Sequence, residues 1–152
     1  MSVRIVTDST CDLPASVVSD LGIQVLPLYI RIGDKDYLDG IDLTREDFYK
    51  ALPGYKAYPT TAVPSPQKFR AMYDSLADQG ASEVLSIHIS ESLSATVNVA
   101  KAAAAETTSV PVTVVDSRQL SMGTGFLVQT AAELAQAGQT RQPDFAKVAG
   151  PN

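Results

Sequence analysis

The sequence predicts an α/β fold, a Rossmann-like parallel sheet flanked by helices in a single three-layer domain. Short apolar runs alternate along the chain with segments of helical periodicity, and no series of hairpins interrupts them. The composition, 45% hydrophobic and 19% charged over 152 residues, is typical of one globular domain with a sizeable core. We expect this domain to cover residues 1–140 and a frayed or truncated tail to cover 141–152.

The first half of the chain carries clear start and stop signals for its elements. Pro14 suits the first turn of a helix, and Gly22 suits its end. Pro27 lies inside a β-branched and aromatic run and indicates an edge strand or a break. Thr44 is a favourable N-cap. The predicted elements are strand 3–6, helix 14–22, strand 23–32, a hairpin excursion over 33–40 and helix 45–52.

The second half begins with a proline-rich stretch, 53–66, which is predicted to be a loop. Ser65 and Pro66 then form an N-cap and N1 pair for a helix. The helical stripe expected to face the core is Phe69, Met72, Tyr73 and Leu76. The predicted elements are helix 67–80, strand 84–89, helix 94–106, strand 111–115 and helix 123–136.

Composition excludes several classes of function. The net charge is −5 and the 12 Lys and Arg residues form no cluster, so no nucleic-acid partner is expected. No apolar run approaches the ~20 residues of a membrane span. The apolar run at the N-terminus stops at Val6, too early for a signal peptide. Cys11 is the single cysteine and has no partner for a disulfide, which favours a cytoplasmic location.

Hydroxyl residues crowd the turn that follows the strand 84–89. Ser90, Ser92, Ser94 and Thr96 fall within seven residues, just before an alanine-rich helix. Free N–H groups at a helix start favour anions, so the turn suits a phosphate or a carboxylate. Ordinary helix capping explains the same residues equally well.

Three polar turns follow predicted strands: 7–12, 90–96 and 116–121. Ligands of parallel sheets sit at the carboxyl ends of strands, so we expect these turns to share one rim. The loop that carries Thr60 and Thr61 is a candidate fourth member of that rim.

A small serine-dependent hydrolase or phosphoryl-transfer enzyme is the main enzymatic alternative, with Ser94 as the reacting residue and His88 or Asp8 as base. The glycines of a GxSxG elbow are missing, and His88 lies within a strand, where a core or rim histidine is the simpler interpretation. Cys11 is expected to be a bystander thiol, and the GTG at 123–125 a helix start or a close-packing site.

Several aspartates raise the possibility of a metal site, but the loop 34–42 lacks the spacing and the closing glutamate of a calcium loop. We therefore interpret them as turn-formers and solvated charges, with no metal expected. They are Asp8, Asp12, Asp34, Asp36, Asp39 and Asp42.

Four motifs in order resemble the DegV family of bacterial fatty-acid-binding proteins. They are TDSTCDLP at 7–14, TAVPSPQKF at 61–69, ISESLSAT at 89–96 and VDSRQLSMGTG at 115–125. The resemblance implies a protein that buries a long-chain fatty acid such as palmitate and uses no cofactor. It also implies a binding protein, not an enzyme, that can present the carboxylate to a separate kinase subunit.

The resemblance assigns the carboxylate contacts to Thr61 and Ser94, and Ser92 is a possible assisting residue. Ala62 and Val63 replace the family's usual Ser-Gln pair, and Ala95 replaces a glycine. The family's second domain, which covers the acyl chain, has no counterpart in these 152 residues, so we expect either a truncated N-terminal domain or a natural short form in which a homodimer or a second chain covers the cleft. A lone scaffold domain that binds a protein partner is the remaining alternative.

Overall fold

The computed structural model describes residues 2–138, so the predicted tail at 141–152 lies outside the described residues. The strands are β1 (Val3–Asp8), β2 (Gln24–Leu26), β3 (Tyr29–Ile32), β4 (Lys35–Leu38), β5 (Thr60–Ala62), β6 (Glu83–His88) and β7 (Val112–Asp116). The α-helices are α1 (Ala15–Asp20), α2 (Arg45–Ala51), α3 (Pro66–Asp78), α4 (Thr96–Glu106) and α5 (Met122–Gln136). Short 3-10 turns cover Ser9–Cys11 and Leu52–Gly54.

The main sheet has four parallel strands in the order β2-β1-β6-β7. Its two central strands are almost fully buried, because helices cover both faces. Side chains alternate across the sheet, so Val6 and Val84 point to one face while Ile5 and Leu85 point to the other. The predicted parallel sheet flanked by helices is confirmed.

Each face of the sheet packs against its own hydrophobic cluster, which gives the three layers. On one face, the predicted stripe of α3 supplies Phe69, Tyr73 and Leu76, all with no exposed surface. On the other face, α5 supplies Val128 and two alanines. The helix stripe read from the sequence is therefore a core stripe, although Met72 is only partly buried.

A second, antiparallel sheet of three strands, in the order β4-β3-β5, was only partly predicted. The hairpin excursion is present as β3 and β4 joined at Gly33, which has a φ of +60°. The strand predicted over 23–32 breaks at Pro27, which is one of the two outcomes expected there, and the two pieces, β2 and β3, belong to different sheets. Proline has no N–H to donate to a ladder, so the strand ends there.

The segment 53–66 is also not the simple loop that was predicted. It contains the 3-10 turn Leu52–Gly54 at its start and the strand β5, which pairs with β3 through Ile30 and Thr61. A three-residue strand between prolines has no periodic signal of its own, and its pairing partner lies about thirty residues earlier in the chain.

Gly125 explains the GTG sequence as a close-packing site. A Cβ at this position would lie 2.4 Å from the carbonyl oxygen of Cys11, so only glycine lets α5 approach the 3-10 turn after β1. The turn therefore rests directly on the first part of α5, just above the carboxyl end of β1.

Candidate functional site

The three polar turns that were expected to share one rim do meet at the carboxyl edge of the parallel sheet. The Ser90 N–H donates to the Gln119 carbonyl at 2.9 Å, and the Glu91 N–H donates to the Asp116 carboxylate at 3.2 Å. The first turn joins them through Asp8, which accepts the Ile89 N–H at 3.2 Å. The prediction of a shared rim is confirmed for these three turns.

The hydroxyl turn is ordered by its own hydrogen bonds. The Ser94 N–H donates to the Ser90 carbonyl at 3.1 Å, and the Ser90 and Ser92 hydroxyls lie 2.9 Å apart. The Ser94 Oγ accepts the Thr96 N–H at 3.3 Å and lies 2.8 Å from the Thr96 hydroxyl, so Ser94 acts as a cap just before α4. The helix begins at Thr96, two residues later than predicted.

Exposure separates the four hydroxyls of this turn. Ser90 and Thr96 are buried, Ser94 is half-buried and Ser92 is exposed. A ligand on the rim can therefore reach only Ser92 and Ser94 without a change in the turn. The positive end of the α4 dipole lies beside them and favours an anion there.

Thr61 lies on the exposed strand β5 of the small sheet, not on a loop as predicted. Among the described residues, no hydrogen bond involves its hydroxyl, and none joins it to Ser94. The hydroxyl is thus free to donate to a ligand. Contacts that tie the small sheet to the rest of the fold include the Leu28 N–H, just before β3, which donates to Ser9 Oγ at 3.0 Å, and Lys68 Nζ of α3, which lies 5.3 Å from the Tyr29 ring centroid.

A second set of polar groups is buried directly beneath the rim, on the α3 side of the sheet. The Tyr73 hydroxyl lies 2.9 Å from Ser86 Oγ, which lies 2.7 Å from His88 Nε2. His88 Nδ1 lies 2.9 Å from Asp8 Oδ2. We call Tyr73, Ser86, His88 and Asp8 the buried relay; none of the four side chains has exposed surface.

Electrostatics of the buried relay follow from burial and hydrogen bonding. Burial opposes charge on Asp8, but the hydrogen bond and charge of His88 and the hydrogen bonds from Thr10 hold the pKa of Asp8 below its ordinary value. Burial raises the pKa of Tyr73 to about 12, although its bond to Ser86 opposes the shift. The relay therefore contains one buried carboxylate whose charge is stabilised by its neighbours.

The buried relay has the Ser–His–Asp order of a hydrolase triad, but its setting differs from a catalytic one. Both ring nitrogens of His88 are engaged, one by Ser86 and one by Asp8, so neither is available to Ser94. The expectation that His88 is a core residue is confirmed. The sequence predicted Tyr73 only as a core residue and Ser86 was not singled out; the signal for Ser86 was its alternation with His88 within an apolar strand, which places both on one face.

Most of the aspartates considered as metal ligands have other partners. Asp12 and Asp39 bind Arg45, Asp36 forms a two-point ion pair with Arg31, and Asp42 accepts the Leu38 N–H. In the part of the chain that the structure describes, no group of three or more His, Cys, Asp or Glu residues is placed to hold a metal ion.

A cavity of about 710 Å³ lies elsewhere, between α1, β2 and the segment before α2. It is lined by apolar groups such as Val18 and Ile41 and by Arg45, and neither Thr61 nor Ser94 contributes to it. The hydroxyl rim, formed by the turns 7–12, 90–96 and 116–121, is an open surface. It carries the exposed side chains of Leu93 and Leu120. We base the site on the rim, because its donors and helix terminus can recognise a ligand, whereas Arg45 at the cavity is already paired.

Fold and rim together define an α/β binding domain with hydroxyl and helix-terminal donors suited to a small anionic group. The model of the DegV family, described as an uncharacterised protein family, matches residues 2–148. The chain belongs to the DegV family.

Relatives in this family are longer proteins. A DegV domain-containing protein of Deinococcus radiodurans is 43% identical over 140 residues, which cover 92% of this chain and 49% of that protein. A second, from Clostridium perfringens, is 35% identical over 91% of this chain and 49% of its own length. The chain thus spans about half the length of the relatives it matches.

Solved structures agree in fold and are described as fatty-acid-binding proteins. A DegV family protein from Thermus thermophilus described in terms of fatty acid binding is 38% identical, with a TM-score of 0.87 over 98% of this chain and 54% of its own. DegV from Bacillus subtilis, described as a fatty acid binding protein, is 30% identical, with a TM-score of 0.92 over 98% of this chain and 52% of its own. No helix among residues 2–138 has the length and apolar character needed to cross a membrane.

Proposed function

We propose that this chain, as a fatty-acid-binding domain spanning residues 1–140, binds the carboxylate of a long-chain fatty acid such as palmitate. Thr61 and Ser94 donate hydrogen bonds to the carboxylate, and Ser92 assists. The observation that carries the proposal is the half-buried Ser94 hydroxyl at the start of α4, on a rim made of the family's motifs. The fatty-acid-binding descriptions of the related structures support the choice of anion.

The chemistry of the rim fits a carboxylate. Hydroxyl donors to a charged acceptor contribute about 1.5–3 kcal/mol each, and the α4 dipole adds to them. The exposed side chains of Leu93, within this turn, and Leu120, in the neighbouring turn 116–121, offer apolar surface to the first carbons of the chain. Burial of an acyl chain contributes about 0.8 kcal/mol per CH₂, so tight binding also needs a cover over the chain. Such a cover can come from protein outside residues 1–140, from a second copy of this chain or from another protein chain.

The bound fatty acid is the proposed substrate of a separate kinase, which phosphorylates its carboxylate. With its head group at an exposed rim, the fatty acid is accessible to a separate kinase subunit, and this chain acts as the non-catalytic carrier. The engaged nitrogens of His88 argue against an acid–base role for this chain. A cytoplasmic setting fits the single cysteine. Addition of a fatty acid kinase and ATP to the loaded protein should yield an acyl phosphate that hydroxylamine traps; no acyl phosphate with a kinase active on other carriers would contradict the carrier role.

Mass spectrometry and palmitate titration test the binding itself. The purified chain should carry a co-purified fatty acid or bind added palmitate. Thr61→Val should weaken palmitate binding roughly tenfold, since it removes a donor to a charged group. Thr60→Val is the matched control, because neighbouring residues of a strand point to opposite faces. No fatty acid in the preparation and no binding of palmitate would contradict the proposal.

A further inference from the structure

The buried carboxylate of Asp8 contacts both the end of β6, which leads into the Ser94 turn, and the 3-10 turn after β1. Its Oδ2 accepts the Ile89 N–H at 3.2 Å and lies 2.9 Å from His88 Nδ1. Its Oδ1 accepts the Thr10 N–H at 3.0 Å and also bonds the Thr10 hydroxyl. One fully buried side chain therefore fixes the end of β6 and the turn after β1 at the same time.

The Oδ2 side leads to Ser94. Ile89 is the first residue after β6, and Ser90, which follows it, accepts the Ser94 N–H through its carbonyl at 3.1 Å. The position of Ile89 therefore sets where the hydroxyl turn begins and where the Ser94 side chain lies.

The Oδ1 side leads to Thr61. Thr10 lies in the 3-10 turn with Ser9, whose Oγ accepts the Leu28 N–H at 3.0 Å. Leu28 directly precedes β3, and Ile30 of that strand pairs with Thr61. The same turn therefore anchors the sheet that carries the second carboxylate contact.

We propose that Asp8 is the positioning residue of the binding site, because its two oxygens hold the Ser94 turn and the Thr61 sheet in a fixed relation. This role rests on the proposed function for the meaning of the two hydroxyls. Asp8 does not touch the ligand, and it acts through Ile89 on one side and Thr10 on the other. An amide at this position keeps the volume but turns one of the two acceptors into a donor, so only one side stays bound.

A distance measurement tests the role without any ligand. Spin labels are attached to the full chain at Tyr58→Cys and Leu93→Cys, exposed positions that flank Thr61 and Ser94. The native Cys11 is 3% exposed, and burial raises the pKa of its thiol, so it resists labelling, which the unsubstituted chain checks. Pulsed electron paramagnetic resonance should give one narrow distribution of label-to-label distances in the chain with a native Asp8.

Asp8→Asn should broaden or shift this distribution and weaken palmitate binding roughly tenfold. Val84→Ala, a buried truncation at the far end of β6, is the control for a general loss of stability and should leave the distance unchanged. An unchanged distribution in Asp8→Asn, or equal broadening in both variants, overturns the positioning role. If Asp8→Asn does not fold, Thr10→Val replaces it and should broaden the distribution to a smaller extent, because it removes one of the two bonds from Thr10 to Asp8 Oδ1.

Failure of the proposed function gives a different result. If the parent binds no palmitate while Asp8→Asn still alters the label distance, Asp8 positions the two hydroxyls but the ligand assignment is wrong. If palmitate binds the parent and Asp8→Asn equally and the distances agree, the binding function stands and Asp8 has no positioning role.

Discussion

The buried relay and the exposed hydroxyl rim use similar residues a few ångströms apart but satisfy them in different ways. In the relay, each of Ser86 and His88 bonds two neighbours within the protein. Ser94 on the rim bonds only its own turn, and Thr61 on β5 of the small sheet has no side-chain partner among the described residues. Hydroxyls whose hydrogen bonds are complete stabilise a fold, whereas partly satisfied, accessible ones can bind a ligand. The two regions therefore differ in the hydrogen-bond partners and the exposure of their side chains more than in their residue types.

The largest expected effect on stability comes from removal of His88, the central residue of the buried relay. His88→Ala should lower the free energy of unfolding by about 3–5 kcal/mol, because it leaves the buried Asp8 carboxylate without its ring partner. Urea denaturation measures the change. In the Asp8→Asn background the same substitution should cost less, with a coupling of about 1–3 kcal/mol. Additive losses would mean that the two side chains do not act together.

A smaller effect on stability tests whether a buried hydroxyl stabilises the fold only when it is hydrogen-bonded. Thr7 and Thr124 both have no exposed surface, but the Thr124 hydroxyl lies 3.0 Å from Ser117 Oγ, whereas the Thr7 hydroxyl is unpaired among the described residues. Thr124→Val should cost about 0.5–1.5 kcal/mol, because it removes one hydrogen bond while Ser117 keeps its contacts with Gln119. Thr7→Val, nearly the same shape, should be neutral or stabilising in thermal unfolding. Equal losses at both positions would contradict this distinction.

Prediction from the sequence succeeded where a local pattern carried the information. The helix stripe of α3, the shared rim and the buried position of His88 follow from periodicity, from strand–turn order and from the position of a polar residue within an apolar strand. The strand β5 and the contact between Asp8 and His88 could not be predicted in this way. Each depends on a partner far along the chain, 80 residues away for Asp8 and His88, and on a register that no local pattern specifies.

The smallest expected effect is on the pH dependence of the free energy of unfolding. It distinguishes the buried Asp8 carboxylate from exposed carboxylates. The pKa of Asp8 lies below its ordinary value of 3.8 in the folded state. Its contribution to stability is therefore complete above about pH 4 and is lost as the pH falls through the folded pKa. The free energy of unfolding, measured from about pH 5 to about pH 2, should fall less steeply in Asp8→Asn than in the parent. Parallel pH profiles would show that Asp8 titrates alike in both states.

Palmitate titration of Ser94→Ala and Ser86→Ala, under conditions in which both remain folded, tests the central comparison most directly. Both substitutions remove one serine hydroxyl, but Ser94 lies on the rim and Ser86 has no exposed surface. Ser94→Ala should weaken palmitate binding roughly tenfold or more. Ser86→Ala should bind palmitate like the parent while it loses stability, since Asp8 and His88 keep their own contact. Equal affinity in Ser94→Ala and the parent would contradict the assignment of the rim as the carboxylate site.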